Sequence, residues 1–314
     1  MSFSAEHLLS IEDLSPDDIT LILDTAEEMD AVSQRPVKKV PALRGRTIMN
    51  LFFEASTRTR ASFELAGKRL SADMVNFSTS TSSVKKGETL LDTARTLEAM
   101  QPDMVVVRHQ SAGAASYLAE RMHCRVVNAG DGAHQHPTQA LLDAFTMRRH
   151  FGRLEGLKVL IGGDFTHSRV VRSNVQLLTK MGAKVTACAP PSMMPPDAER
   201  FGIDITSDFD AALPGSDVVM MLRCQFERHG VSMFPSAREY FKHFGLTMER
   251  LALAKSNAIV MHPGPMNRGV EIASEVADHE RSVILDQVQH GVAVRMAVLF
   301  LVFGGGDRRV EAEA

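Results

Sequence analysis

Residues 52–60 read FFEASTRTR, and the rest of the chain is understood from this stretch outward. Just before it, residues 46–53 (RTIMNLFF) read as a short apolar strand, and residues 59–70 (TRASFELAGKRL) repeat apolar positions at helical spacing. Ser56, Thr57 and Arg58 therefore fall on a strand-to-helix turn. The first N–H groups of such a helix lack internal partners and carry the positive end of its dipole, so the turn favours an anion before any side chain is counted. Hydroxyls and two guanidinium groups within five residues add donors and fixed charge, a combination suited to a phosphate dianion. A lone Ser-Thr-Arg is ordinarily a helix cap beside solvated arginines. Repeated Thr-Arg with Glu54 two residues ahead of Ser56 is a rarer pattern.

The chain of 314 residues, 44% hydrophobic, has room for two domains of ordinary size. A formal charge of -3 gives no general basic footprint for nucleic acid or an anionic membrane, so any anion site must be local. The N-terminus has acidic residues and no apolar core of signal-peptide length, and no run of eighteen apolar residues occurs, which places the expected protein in the cytoplasm. Cys124, Cys188 and Cys224 are odd in number and scattered, as buried thiols are; His134 and His136 alone do not make a metal site, and none is expected.

In chain order, Ser15-Pro16 supplies an N-cap and a first-turn proline for a helix running through Met29. Residues 72–77 form a second strand. Residues 78–87 (STSTSSVKKG) are too polar to order themselves and read as a mobile loop with a basic tip, followed at once by a helix in GETLLDTARTL. Residues 103–107 (DMVVV) and 125–128 (RVVN) are buried strands leading into Arg108-His109 and into AGDGAHQHPTQ. Side chains at the carboxyl ends of parallel strands face the usual ligand crevice. There Arg108 can polarise a carbonyl oxygen and contact phosphate, His136 can donate to the same oxygen, and Gln139 can accept from an NH2 group. Residues 141–151 continue as a helix between domains.

From Gly156 the pattern restarts with four strands, LKVLIGGD, AKVTACAP, SDVVMMLR and NAIVMHPGP. GGDFTHSR has the strand–glycine–helix order of a dinucleotide site but lacks GxGxxG. LRCQFERHG sets Arg223, Gln225 and Arg228 beside a strand end, where alternate residues of an extended segment face one ligand together. In His262-Pro263-Gly264-Pro265 the prolines restrict the backbone while leaving carbonyls to accept from an amine or an NH2 group. Residues 283–303 form a long apolar helix carrying Arg295, interrupted by Gln, His and Arg, and residues 304–314 read as a disordered tail.

FxExSTRTR, HPTQ and HPGP together resemble the aspartate and ornithine carbamoyltransferases over residues 43–301. The resemblance implies an α/β fold of two doubly wound parallel-sheet domains with connecting helices. Residues 1–150 are then the carbamoyl-phosphate-binding domain and 151–290 a Rossmann-like aspartate-binding domain. Residues 291–314 supply a C-terminal helix packing back on the first domain, plus the tail. It further implies carbamoyl transfer from carbamoyl phosphate to the α-amine of L-aspartate in de novo pyrimidine biosynthesis, without cofactor or metal. Thr59, Lys86, Arg108 and His136 take the catalytic roles. Ser56, Thr57, Arg58, Ser82 and Lys86 hold phosphate, Gln139 the carbamoyl NH2, and Arg169, Arg223 and Gln225 the aspartate, with the backbone of Gly264 and Pro265 also in contact with substrate. Glu54, Arg228 and Arg295 support these groups from behind. KKGET places Lys86, and with it Ser82 or Ser83, on a loop that in the family enters a neighbouring subunit's site, which implies a homotrimer with shared sites. A further assembly with a dihydroorotase or a regulatory chain stays open. Ornithine enzymes resemble the first motif with Lys in place of Glu54 and carry Cys where this chain has Pro263. An acceptor other than aspartate, ornithine above all, and a non-catalytic scaffold are the alternatives; the mark of the latter, loss of Arg58, Lys86 or His136, is absent.

Overall fold

The apolar runs become strands buried on both faces, as parallel sheets covered by helices require. The computed structural model describes residues 3–78, 89–224 and 234–304. The chain divides into two compact units, Met1–Leu141 with His290–Ala314, and Leu142–Gln289. The first contains α1 (Pro16–Ser33), β1 (Thr47–Phe52), α2 (Thr57–Arg69), β2 (Asp73–Ser78), α3 (Leu90–Glu98), β3 (Met104–His109), α4 (Ala114–Ala119), β4 (Arg125–Asp131) and the start of α5 (Pro137–Phe151). The second begins within α5 and holds β5 (Lys158–Gly162), α6 (Arg169–Lys180), β6 (Lys184–Cys188), β7 (Asp204–Thr206), α7 (Phe209–Ala212), β8 (Val218–Met221), α8 (Ala237–Phe244), α9 (Met248–Leu251), β9 (Ile259–Met261) and α10 (Ser274–Ala277). It ends in the first turns of α11 (Ile284–Val302), whose remainder belongs to the first unit.

Sheet order is β2-β1-β3-β4 in the first unit and β7-β6-β5-β8-β9 in the second, with every neighbouring pair parallel. The order reverses between β1 and β3, and again between β5 and β8. At such a reversal the connections leave in opposite directions and open a crevice at the carboxyl ends. Met49, Leu51, Val105, Val107 and Val126 fill one face of the first sheet and pack with Ala94 and Leu97 of α3 and Leu118 of α4. Leu8, fully buried, bridges to Val127 in parallel and so covers the outer edge of β4.

Local chemistry sets the helix ends. Ser15 accepts from the Asp18 N–H while the Asp18 side chain returns to the Ser15 backbone, a complete capping box on α1. Helix α2 starts at Thr57, two residues before the apolar periodicity begins, and α5 starts at Pro137, four residues before the expected Leu141, because proline is preorganised for a first helical turn. Strand β4 runs on to Asp131 through buried Ala129 and Gly130. The second sheet has five strands, not the expected four. The extra one, β7, is three residues of Asp-Ile-Thr on an edge, with no apolar run to announce it.

Helix α11 is, among the described residues, the one helix long and apolar enough to cross a membrane by length and composition, but 72% of that window is buried inside the protein, as in a core helix. Within the first unit Arg295 explains its own burial: Nη1 donates to Ser62 Oγ at 2.9 Å and to Gly291 O at 3.1 Å, and the guanidinium lies 5.1 Å from the centre of the Phe63 ring. Arg125 Nε donates to Val302 O at 2.7 Å, satisfying a carbonyl at the helix's C-terminus.

Gly163, just past β5, has φ +134, and a Cβ there would lie 2.8 Å from both Cβ and O of Leu222. Gly163→Ala should destabilise the protein by about 2 kcal/mol or more, seen as a melting temperature several degrees lower; an unchanged melting curve would show that the β5–β8 reversal tolerates a side chain.

Candidate active site

At the first reversal Phe52 pairs in register with Arg108. The chain leaving β1 stays attached to β3, since Phe53 N–H donates to Arg108 O at 2.8 Å and the Phe53 ring meets His109 edge-on at 5.3 Å. Arg108 Nη2 then reaches Glu54 Oε1 at 3.5 Å, the side chains being 13% and 20% exposed, while Nη1 donates to Ala129 O at 3.3 Å. The acidic residue ahead of the Ser-Thr-Arg turn thus lies beside a largely buried guanidinium, balancing some of its charge and aiming its plane.

Ser56 occupies the N-cap position of α2, yet its side chain makes no capping hydrogen bond, and the first turn holds no acidic residue. The ordinary capping role is therefore not the one its hydroxyl performs. Thr57 and Arg58 are exposed and Thr59 is buried. The N-terminus of a 13-residue helix, with its dipole, is thereby presented beside Arg108 and Glu54.

His136 and Gln139, 4% and 8% exposed, follow a turn organised by a residue whose role the sequence motifs do not announce. Asp131, 2% exposed, accepts from Gly113 N at 2.6 Å, Asn128 Nδ2 at 2.9 Å and Gln135 N at 3.1 Å, and pairs with His134 Nδ1 at 3.1 Å. Burial alone raises its pKa, but the donors from His134, Asn128 and Gly113 outweigh burial and hold the carboxyl below the usual aspartate value. Gly132 N–H donates to His109 O at 3.0 Å, tying the turn to the end of β3. An aspartate between two glycines is a turn former, and that is the one signal of it in the sequence. His109 is held below the ordinary imidazole range by burial, and its Nδ1 accepts from Ser111 N at 2.9 Å.

At the second reversal β5 ends in Gly162-Gly163-Asp164. Buried Asp164 accepts from His167 N at 3.1 Å and pairs with His167 Nδ1 at 3.0 Å, closing the turn that starts α6 with Arg169, itself 5% exposed. Next to it Leu222 N donates to Gly162 O at 2.7 Å, and Arg223 follows as a half-buried residue between buried Leu222 and Cys224. In the His262-Pro263-Gly264-Pro265 turn, Gly264 has φ +67 and donates to His262 Nδ1 at 2.8 Å. Ser56, Thr57, Arg58, Thr59, Arg108, His136 and Gln139 thus collect in the first unit, and Arg169, Arg223, Gly264 and Pro265 in the second. Ser82, Ser83, Lys86, Gln225 and Arg228 lie outside the described residues, as do all but Ser78 of the loop at 78–87 and all but Gly304 of the tail at 304–314. All three cysteines are free and buried, and burial pushes Cys124 up to about 11 and Cys188 up to about 12, the state of inert core thiols. Among the described residues no His, Cys, Asp and Glu cluster has metal-binding geometry.

Two open parallel sheets, each with an arginine near the point where its strand order reverses, define a two-domain α/β protein of the doubly wound class. The aspartate/ornithine carbamoyltransferase carbamoyl-P binding domain matches residues 6–149, and the Asp/Orn binding domain of the same family matches residues 155–302. The chain belongs to the aspartate/ornithine carbamoyltransferase family. It is 63% identical over 305 residues to the aspartate carbamoyltransferase catalytic subunit of Syntrophotalea carbinolica, covering 97% of each chain, and 59% identical over 304 residues to that of Thermobifida fusca, again covering 97% of each. Among solved structures, aspartate transcarbamoylase from Trypanosoma cruzi in complex with N-(phosphonacetyl)-L-aspartic acid superposes with a TM-score of 0.86 at 33% identity, covering 95% of this chain and 96% of that one. Ornithine carbamoyltransferase from Pyrococcus furiosus gives a TM-score of 0.86 at 28% identity, covering 98% and 100%.

Because the folded-state pKa of Asp131 lies below its unfolded value, its stabilisation is complete above the unfolded value near 3.8 and is lost as pH falls through the lower folded one. Asp131→Asn should cost about 1–3 kcal/mol at pH 7, with the gap to the unsubstituted protein closing below about pH 4. Denaturant titrations at pH 7 and pH 3 measure both values; a gap independent of pH would remove the charge from the explanation.

Proposed function

We propose that this chain transfers the carbamoyl group of carbamoyl phosphate to the α-amine of L-aspartate, giving N-carbamoyl-L-aspartate and phosphate, in the cytoplasm and within de novo pyrimidine synthesis. The observation that carries this reading is the uncapped N-terminus of α2 beside the Arg108–Glu54 pair, in a chain 63% identical to an aspartate carbamoyltransferase catalytic subunit. The α-amine nitrogen attacks the carbamoyl carbon, charge builds on the carbonyl oxygen, and the C–O bond to phosphate breaks, phosphate leaving with the bonding electrons and taking up the amine's proton. Thr59, Arg108 and His136 donate to the developing oxyanion, the arrangement in which preorganised donors contribute most. Ser56, Thr57, Arg58, Ser82 and Lys86 hold the leaving phosphate and Gln139 the carbamoyl NH2. Arg169, Arg223 and Gln225 hold the two carboxylates of aspartate, and the Gly264-Pro265 backbone borders the amine. The chemistry requires no cofactor and no protein nucleophile.

The fold alone does not choose the acceptor, since an ornithine enzyme superposes as well as an aspartate enzyme does. The choice rests on charge. Arg169 and Arg223 complement a dicarboxylate and repel a second amine, and Glu54 and Pro263 stand where the resembled ornithine enzymes have Lys and Cys. Assayed in parallel, aspartate should be carbamoylated and ornithine not. Arg223→Ala should raise the aspartate KM and lower turnover, a loss of about 1.5–3 kcal/mol or more for a charge-assisted contact. An unchanged aspartate KM would take Arg223 out of the site.

The working unit is proposed to be a homotrimer in which Lys86 serves a neighbour's site. Lys86→Ala and Arg58→Ala homotrimers should each be nearly inactive. Random exchange makes about three-quarters of trimers mixed, each with one intact site in three, so activity should return to roughly a quarter of the unsubstituted value. No recovery after demonstrated exchange would place both residues in one chain's site.

A further inference from the structure

Assigning Arg223 to aspartate leaves open how the chain after β8 keeps this residue facing out beside the His262-Pro263-Gly264-Pro265 turn. Strand pairing ends at Met221, yet Arg223 is the half-buried member of an otherwise buried run, residues 218–224. On its N-terminal side Leu222 N–H is held by Gly162 O at 2.7 Å. On its C-terminal side the Cys224 thiol is fully buried, and the Cys224 carbonyl accepts from Asn267 Nδ2 at 3.3 Å. A carbonyl can only accept, so this contact fixes which end of the Asn267 amide faces it.

Asn267 is equally tied to the turn. Its backbone N–H donates to Glu271 Oε1, and the same carboxylate oxygen lies 3.1 Å from His262 Nε2, with both side chains fully buried. Since His262 Nδ1 accepts from Gly264 N–H, the ring is neutral, and its proton sits on Nε2 and points to Glu271. The opposite side of His262 is held through its backbone N–H, which donates to Gln287 Oε1 at 2.9 Å; Gln287 Nε2 donates in turn to Asp143 Oδ1 at 2.7 Å. The turn is therefore anchored in the buried interior of the second unit, and Asn267 reaches from that anchored body to the strand end.

We infer that Asn267 is a positioning residue for the acceptor substrate: its side-chain amide ties the Arg223 segment to the His262-Pro263-Gly264-Pro265 turn, so that a guanidinium and a row of backbone carbonyls are presented to the dicarboxylate amine as one preset surface. This rests on the assignment of Arg223 to aspartate. The Asn267 amide is spent on the Cys224 carbonyl, so it acts through the backbone on the C-terminal side of Arg223. Removing the donor lets that backbone drift, and a misplaced arginine weakens aspartate without affecting carbamoyl phosphate, whose contacts are assigned to the first unit.

The test is steady-state kinetics of the full chain with both substrates varied. Asn267→Asp keeps the shape, loses the donor and sets a carboxylate against the Cys224 carbonyl; it should raise the aspartate KM about tenfold and leave that of carbamoyl phosphate within about twofold. In an Arg223→Ala background the same change should add less than about twofold, because the group it positions is gone. Asn267→Ala, which removes the donor without adding a charge, is read in the same way and serves if Asn267→Asp does not accumulate as folded protein. A folded variant with an unmoved aspartate KM, or with both Michaelis constants raised alike, overturns the inference, as does an undiminished effect in the Arg223→Ala background. An unsubstituted chain that fails to carbamoylate aspartate overturns the functional reading and this inference with it. An active chain insensitive at position 267 overturns this inference alone.

Discussion

The N-terminus of α2 is left open by its own cap residue, and the first unit is arranged so that this open end meets an arginine. Ser56 has the extended backbone of an N-cap but makes no side-chain capping bond, so its hydroxyl is not spent on closing the first turn of the helix. Parallel pairing of β1 with β3 brings Arg108 opposite Phe52, one strand away from that turn. Had the order of β1 and β3 not reversed at this point, the connection after β1 would cover the crevice instead of flanking it.

Concentrated positive charge of this kind has to be balanced within the fold itself. Glu54 does so for Arg108 at 3.5 Å, a long contact that orients the guanidinium without closing it off. Asp131 has a related role at the end of the neighbouring strand. Three neutral donors and His134 surround its carboxylate, so the turn leading to His136 is set by a charge already satisfied and inaccessible to an incoming anion. In the second unit the balance is different. His262 and Glu271 are both fully buried and meet through a single hydrogen bond from the neutral ring, which makes the pair a strut for backbone and not a proton donor to substrate.

Two related activities share this architecture. Superposition on a Trypanosoma aspartate enzyme and on a Pyrococcus ornithine enzyme is equally good, so sheet order and helix placement carry no information about the acceptor. On the proposed reading that information lies in a few charges at strand ends, where a substitution changes what is bound without changing what is packed.

Read alone, the chain declares most of its strands, its main helices and the strand-to-helix turn at Ser56, because these depend on local periodicity and on the chemistry of a helix start. Arg108 and Arg223 stand out in the sequence because each follows an apolar run that reads as a buried strand, whereas Arg169 is put forward by the family resemblance alone. What the sequence could not show are the partners that hold those residues. Glu54 and Arg108 are 54 residues apart, Asn267 and the Cys224 carbonyl 43, and Gln287 and Asp143 144. No window of local sequence contains both members of such a pair. Strand β7 escaped for a related reason, since three residues with one apolar side chain become a strand only because β6 offers them an unfilled edge. Which groups the sequence puts forward follows from residue type, spacing and family resemblance; where the described ones sit was decided by parallel pairing and by buried hydrogen bonds, because those are the forces that fix a side chain's neighbours across the chain.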